Sequence, residues 1–294
     1  MTTCHGRTIK YCILAQNNFQ LKTVRYFQAL GSFKNYYRSM NEILVTAFGR
    51  IQMLHYPFYL KEDESFEERQ QNLIDHCISY IGDLREKHIL EVGCGNGLNC
   101  HYIEGRYGAK RITGIDLSDE NLGIARKHVE NTKISFIRDN AQELVHIPDH
   151  SMDVIICVES AFHYPDKNAF FRQIKRVLKP DGVFLIVDIV RLPGDAGRSL
   201  WFWKKSKLLY HADEMEYNQY SSGNNLVFKH RENLTDRIIR GYEGHVSWIN
   251  RNNLNLINYL LMKLFTILQV RFNIAQLKSH KQYMLFYGGH RDQA

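Results

Sequence analysis

The residues best suited to chemistry form a glycine-rich loop with an acidic residue on either side. The stretch Glu91-Val92-Gly93-Cys94-Gly95-Asn96-Gly97 follows a short apolar run and precedes a helical pattern, and Asp116 ends the next apolar run. Glycines let a backbone turn tightly and approach a ligand closely. A carboxylate about 20 residues after such a loop can accept hydrogen bonds from both hydroxyls of a ribose. The spacing therefore predicts a site for a ribose-containing cofactor.

Two classes of cofactor use this layout, and the positions of the third glycine and of Glu91 distinguish them. A dinucleotide fingerprint has its third glycine at the position that Leu98 occupies here, whereas this loop has it at Gly97. A pyrophosphate also favours a helix N-terminus without an acid nearby. Glu91 instead suits a cofactor that carries positive ammonium and sulfonium groups. A glycine-rich turn with no ligand is the alternative, and the two flanking acids argue against it.

The elements that must position these residues alternate in type from His88 to about residue 190. Five short, β-branched apolar runs are separated by amphipathic segments, and they lie at residues 89–92, 111–115, 134–137, 153–158 and 183–187. Runs of this length with crossover spacing are typical of a parallel sheet in a doubly wound α/β fold. Residues 179–182 predict a turn before the last run. Upstream, the capping-box pattern at Ser65 predicts a helix that ends near Ile81.

Residues 88–190 resemble the cofactor-binding core of the class I S-adenosylmethionine (SAM) dependent methyltransferases. Residues 89–97 match the family's first motif, residues 114–118 its acidic loop, residues 139–144 its adenine-binding segment and residues 176–182 its last core motif. Asn140 stands where the family often has Asp. The resemblance implies a seven-stranded, Rossmann-like sheet whose last strand, Tyr283 to Tyr287, is antiparallel at the sheet edge. It also implies SAM as cofactor and S-adenosylhomocysteine (SAH) as product.

Methyl transfer to a hydroxyl requires an aligned acceptor and a base at the mouth of the cofactor pocket. His163 lies in the stretch Glu159 to Asp166, directly after the fourth apolar run, and an imidazole can take a proton near neutral pH. Asp188 ends the next run, where it could orient that imidazole or contact substrate. A structural histidine and a capping aspartate are the alternatives.

The same stretch and Asp188 resemble those of natural-product sugar and macrolide O-methyltransferases, with sterol and quinone C-methyltransferases as close relatives. In the first group the matching His and Asp are the proposed proton acceptors. Residues 55–59 resemble the group's aromatic entry motif, which closes over SAM, although packing in the core is the alternative. Residues 232–237 resemble its segment after the sixth strand. The resemblance implies these cofactor-binding residues: Tyr56, Glu91, Gly93, Cys94, Gly95, Asn96, Gly97, Asp116, Leu117, Asn140, Ala141 and Glu159.

Three regions follow from these patterns. We expect a helical lid and substrate region at residues 1–80, the SAM-binding core at 81–190, and a helical cap with the last strands at 191–294. The cap holds an aromatic insertion, residues 201–220, in which Trp201, Trp203 and Tyr210 are candidates for the acceptor pocket. Leu254 to Leu268 predict a long amphipathic helix.

These observations predict an O-methyltransferase that acts on a hydroxyl of a small-molecule natural product, with His163 as general base. Two other enzymatic reactions are alternatives: C-methylation of a sterol, isoprenoid or quinone, and N-methylation of a small amine. A non-catalytic SAM-binding scaffold is a further alternative, which the complete glycine loop and Asp116 argue against. The Asn/Asp-Pro-Pro-aromatic motif of many nucleic-acid methyltransferases is missing from the sequence.

Composition limits the partners. The chain has a formal net charge of +7 but no long Lys/Arg block, so no nucleic-acid partner is expected. Its six cysteines show neither a C-x-x-C pair nor zinc-site spacing, which predicts free thiols in a reducing compartment and no metal. The stretch Tyr259 to Gln269 is too short to span a membrane. We therefore expect a cytoplasmic protein, with the long C-terminal helix as a candidate homodimer surface.

Overall fold

The computed structural model describes residues 33–195, 209–249 and 254–291, so Trp201 and Trp203 lie outside the described residues. The helices are α1 (Phe33–Phe48), α2 (Phe66–Ile81), α3 (Leu98–Tyr107), α4 (Asp119–His128), α5 (Lys167–Val177), α6 (Glu214–Gly223), α7 (Thr235–Gly241) and α8 (Leu256–Ser279). The strands are β1 (His88–Val92), β2 (Arg111–Asp116), β3 (Ile134–Arg138), β4 (Met152–Val158), β5 (Leu178–Arg191), β6 (Leu226–Asn233) and β7 (Lys281–His290). Two 3₁₀ turns span Ala161–His163 and His245–Trp248.

The seven strands form one sheet in the order β3-β2-β1-β4-β5-β7-β6. Strands β1 to β5 pair in parallel, and β7 is antiparallel to both of its neighbours. This confirms the doubly wound, Rossmann-like fold with an antiparallel last strand. The predicted position of that strand at the sheet edge is wrong, because β7 lies between β5 and β6. Strand β6 therefore forms the edge.

Both faces of the sheet are buried. In β4, Val154, Ile156 and Val158 belong to one apolar cluster, whereas Ile155 and Cys157 belong to a second. Successive side chains of a strand point to opposite faces, so the two clusters lie on the two sides of the sheet. Continuous burial from Val154 to Val158 explains why this part of β4 is an unbroken apolar run.

Helix α2 begins as its sequence predicts. The Ser65 hydroxyl accepts from the Glu68 backbone N–H at 3.2 Å, and the Glu68 carboxylate accepts from the Ser65 N–H at 2.8 Å. Such a reciprocal cap satisfies two backbone donors that the first helical turn leaves unpaired.

Helix α8 is longer than the apolar stretch that the sequence analysis considered. It has 24 residues, and by length and composition it is a candidate membrane span, the one such helix among the described residues. The stretch Tyr259 to Gln269 is therefore only part of this helix, and a single helix of this kind is weak evidence for a membrane span. Met262, Val270 and Leu277 pack against the protein, whereas Leu264 and Leu268 are exposed.

Candidate functional site

The glycine loop connects β1 to α3 and depends on residues without a Cβ. Gly93 has φ 73° and Gly97 has φ 79°, in the left-handed region that side chains rarely adopt. A Cβ on Gly93 would lie 1.9 Å from the Ser160 Oγ, and one on Gly97 would lie 2.6 Å from the Phe136 Cζ. The loop is therefore held by close packing of its backbone against β3 and the residues after β4.

Asp116, at the end of β2, fixes the loop from the side. One carboxylate oxygen accepts from the Gly95 N–H at 2.9 Å, and the other accepts from the Ser118 N–H at 2.7 Å. Burial raises the pKa of Asp116, and these hydrogen bonds oppose that effect. The adjacent Leu117 is exposed. Asp116 therefore stands at the carboxyl end of β2, the position predicted for a ribose-binding acid.

Glu91 is buried beneath the loop. Its carboxylate accepts from the Cys100 thiol at 2.7 Å, and burial raises its pKa to about 7. Asn96 connects the loop to the N-terminal region, because its amide donates to Asn41 Oδ1 at 3.0 Å and to the Gln52 carbonyl at 2.7 Å. Sequence reasoning placed both residues in the cofactor site, and the structure gives each of them a partner within the protein.

Glu159 directly follows β4 and has φ 48°. Its Oε1 accepts from the Tyr56 backbone N–H at 2.5 Å and from the Tyr283 hydroxyl at 2.7 Å, and burial raises its pKa to about 8. The Tyr56 ring lies between Tyr242, at 5.5 Å, and Tyr283, at 6.0 Å. The segment that resembles an entry motif therefore packs at the carboxyl end of the sheet.

His163 ends the 3₁₀ turn that follows Glu159. Its Nε2 lies 2.6 Å from the Tyr37 hydroxyl, and the two rings meet edge to face with centroids 5.6 Å apart. Burial raises the pKa of Tyr37 well above its ordinary value, so the phenol stays protonated. Sequence reasoning did not single out Tyr37. The aromatic pair Tyr36-Tyr37 in a helix expected to cover the site was the one available signal.

Asp188 lies within the buried part of β5, three residues before the strand ends, and is fully buried. One oxygen accepts from the Phe162 N–H at 3.2 Å and the other from the Tyr217 hydroxyl at 2.5 Å. Burial raises the pKa of Asp188 to about 6, and the positive charge of Lys167 opposes the rise. One oxygen therefore holds the turn that carries His163, and the other connects β5 to Tyr217 on α6.

Several of these residues share one small cavity of about 30 Å³, and the residues predicted from the sequence divide into those that line it and those that do not. Its walls include Gly93, Cys94, Gly95, Asn96, Asp116, Glu159 and His163, together with Tyr37 from α1. The other predicted residues do not line this cavity: Tyr56, Glu91, Gly97, Leu117, Asn140, Ala141 and Asp188. Asn140 bonds within its own turn, where its Oδ1 accepts from the Gln142 N–H at 3.1 Å.

The chain is similar to methyltransferases in sequence. The family model described as a methyltransferase domain matches residues 90–186. The chain is 33% identical over 113 residues to the fatty-acid O-methyltransferase of Mycolicibacterium smegmatis, covering 38% of this chain and 41% of that protein. It is 34% identical over 114 residues to a ubiquinone biosynthesis O-methyltransferase of Neisseria meningitidis, covering 38% and 48%. The matches thus span less than half the length of these relatives.

Solved structures share the fold at low sequence identity. Phosphoethanolamine N-methyltransferase 2 of Haemonchus contortus, solved with SAH, superposes with a TM-score of 0.73 at 15% identity over 90% of this chain and 60% of that chain. The cyclopropane synthase MmaA2 of Mycobacterium tuberculosis gives 0.70 at 14% identity over 90% and 98%. With the glycine loop, Asp116 and the sheet order, these matches identify the core: the chain contains a methyltransferase domain of the class I, SAM-dependent family at residues 90–186.

Proposed function

We propose that this chain transfers a methyl group from SAM to a hydroxyl of a small molecule, with His163 as the base. The observation that carries the proposal is the shared cavity, in which His163 faces the glycine loop and Asp116. A proton acceptor and the predicted cofactor cradle therefore adjoin each other, as in-line transfer to a deprotonated oxygen requires.

The residues present fit a cationic nucleoside cofactor. The carboxylates of Glu91, Asp116 and Glu159 are buried with raised pKa values. Burying acids without a cation is costly, and a nearby positive charge offsets that cost. Asp116 would hold the ribose, while Glu91 and Glu159 would favour the positive groups. When bound, SAM supplies the methyl group on a good leaving group.

Helix α1 must move for a nucleoside to enter. A cavity of about 30 Å³ has room for about two water molecules. Tyr37 forms part of its wall through the contact with His163 Nε2. Displacement of Tyr37 would open the cavity and remove the Tyr37 hydroxyl from that nitrogen in one step.

The Tyr37 hydroxyl marks where an acceptor hydroxyl would lie. A neutral phenol donates to an unprotonated imidazole nitrogen, so the Tyr37 contact mimics a substrate hydroxyl at His163 Nε2. In the reaction, an acceptor hydroxyl in that place would give its proton to Nε2 as its oxygen bonds to the methyl carbon. Asp188 would act as a positioning residue, because it holds the Phe162 N–H of the same turn.

The first experiment measures SAH binding by titration calorimetry. We expect micromolar binding by the parent protein, none with NADH, and a loss of at least tenfold for Asp116→Ala. Asp119→Ala is the matched control, since Asp119 lies three residues further on and is 65% exposed at its side chain. A folded parent protein that binds NADH, or does not bind SAH, would refute the cofactor assignment.

The second experiment identifies the bond that forms. A panel of alcohols and phenols is incubated with isotopically labelled SAM, and the methyl carbon of the product is located by NMR. An O-methyl signal that disappears in His163→Gln supports the proposal. A methyl group on carbon or nitrogen instead would favour one of the two enzymatic alternatives.

A further inference from the structure

A second, larger cavity is lined by Tyr37 and Phe162, the residues in contact with His163. It encloses about 200 Å³ between α1, α8 and the turn His245–Trp248. For comparison, a cavity of about 150 Å³ lined by apolar side chains is large enough to bind benzene. Its walls also include Tyr37 and Glu159, which border the cofactor cavity as well. The two cavities therefore meet at the proposed reaction centre.

Most of the lining is apolar and comes from elements far apart in sequence. Helix α1 contributes Met40, Ile43 and Ala47, and α8 contributes Phe265 and Val270. Trp248 and Ile249 also line it. Such a surface gains free energy by covering apolar atoms of a ligand, in proportion to the area removed from water.

Three residues of this lining have a buried polar atom without a partner: His55 Nε2, Gln70 Oε1 and His245 Nε2. His55 also borders the smaller cavity, whereas Gln70 and His245 do not. Gln70 is 1% exposed, and its amide nitrogen donates to the carbonyls of Met53 and His55, each at 2.7 Å. Those two bonds fix the orientation of the amide and leave Oε1 without a donor. His245 Nδ1 lies 2.7 Å from the Tyr242 carbonyl, so this nitrogen carries the proton and Nε2 is an unpartnered acceptor. Both residues line the cavity.

We propose that this cavity holds the methyl acceptor and that the acceptor is an amphiphile with two hydrogen-bond donors. Its reacting hydroxyl lies at His163, its apolar body fills the space between α1 and α8, and a second hydroxyl or N–H group donates to Gln70 Oε1 or His245 Nε2. A buried acceptor left without a donor is costly, so a ligand that supplies one is favoured. The assignment of the occupant as the acceptor rests on the proposed function.

The test measures binding of 1-hexanol, 1-octanol and 1-decanol by calorimetry, with the protein saturated with SAH and without it. We expect the affinity to rise about fourfold with each added methylene group. Ala47→Trp should fill the cavity and weaken 1-decanol binding at least tenfold. Ala275→Trp is the matched control, because Ala275 is exposed on α8 away from this cavity. If Ala47→Trp does not fold, Val270→Trp fills the cavity from the opposite wall.

A second arm tests the extra donor. The affinity of 1,8-octanediol relative to 1-octanol should fall about fivefold in His245→Phe, the ratio expected for one lost hydrogen bond. His245 is preferred to Gln70 for this change because the Gln70 amide also holds two backbone carbonyls. An unchanged affinity ratio in a folded variant would show that His245 does not accept a hydrogen bond from the second donor.

The outcomes separate this inference from the proposed function. Alkanol affinities independent of chain length, or 1-decanol binding that Ala47→Trp and Val270→Trp leave intact, would overturn the inference even if SAH binds. Alkanol binding by a folded protein that does not bind SAH would instead overturn the proposed function, and with it the role of the occupant as acceptor. Both the inference and the proposed function are supported if the alkanol affinity rises with chain length, the filled variants lose 1-decanol binding and the protein binds SAH.

Discussion

The substitution Gly93→Ala tests whether the loop geometry requires glycine. Gly93 combines φ 73° with a position at which a Cβ would lie 1.9 Å from the Ser160 Oγ and 2.4 Å from the Ser160 Cβ. Neither atom can be avoided by a small shift, because the Ser160 hydroxyl is also 2.6 Å from the Tyr164 hydroxyl inside the protein. The added methyl group therefore meets a filled space.

The magnitude follows from two separate effects. The left-handed backbone costs an alanine about 1–2 kcal/mol, and overpacking costs about 1–3 kcal/mol more. We expect Gly93→Ala to lower the free energy of unfolding by about 2–5 kcal/mol. The substitution Ser160→Gly removes the atoms that collide, so in its background the cost of Gly93→Ala should fall to the backbone part, about 1–2 kcal/mol.

Urea unfolding of the parent protein, both single variants and the double variant gives the complete cycle. Gly123→Ala is the matched control: Gly123 lies within α4, and an added Cβ there would have no neighbour within 4 Å. That change should stabilise the protein by up to about 1 kcal/mol. The reasoning is refuted if Gly93→Ala is as stable as the parent, or if Ser160→Gly gives no relief. SAH titration of folded Gly93→Ala should show weakened binding.

Three further predictions concern the reaction centre. His163→Gln should lower kcat about 10²- to 10⁴-fold with SAH affinity unchanged, and an equal loss of SAH binding would mean that His163 is structural. Tyr37→Phe removes the hydroxyl that occupies His163 Nε2, so the acceptor KM should fall with kcat retained; a collapse of kcat in steady-state assays would instead make Tyr37 a proton relay. Burial raises the pKa of Glu159 to about 8, above its unfolded value of about 4.3. The stability that protonated Glu159 contributes is therefore full below about pH 4.3 and is lost as the pH rises to about 8. Urea unfolding at pH 5 and pH 8 should show a smaller loss for Glu159→Gln than for the parent, and equal losses would contradict this assignment.

Local patterns in the sequence were enough to predict the core. The unbroken apolar run at β4 signals a strand covered on both faces, because a strand has no exposed side in a doubly wound sheet. Gly93 and Gly97 indicate a left-handed backbone conformation that residues with a side chain rarely adopt. Asp116 ends the neighbouring strand. The Ser65–Glu68 cap likewise involves residues three apart. Each of these signals comes from residues close together in the chain or from the alternation of side chains along a strand. It can therefore be recognised in the sequence alone.

Contacts between distant residues were decided only by the tertiary structure. Tyr37 and His163 are 126 residues apart, and nothing in either local sequence indicates that they meet. The orientation of Asp188 toward the Phe162 N–H and Tyr217 depends on α6 packing beside β5. The insertion of β7 between β5 and β6 depends on which strand edges remain free once the parallel strands have paired.

The sequence by itself therefore determined the parallel strands, the glycine loop and the acid at the end of β2. The tertiary structure decided which side chain covers His163, how Asp188 is used and where the large apolar cavity lies. The physical reason is that hydrophobic burial is non-directional. It indicates that the apolar residues of α1 and α8 are covered, but the packing geometry of the whole chain decides which of them face each other across a cavity.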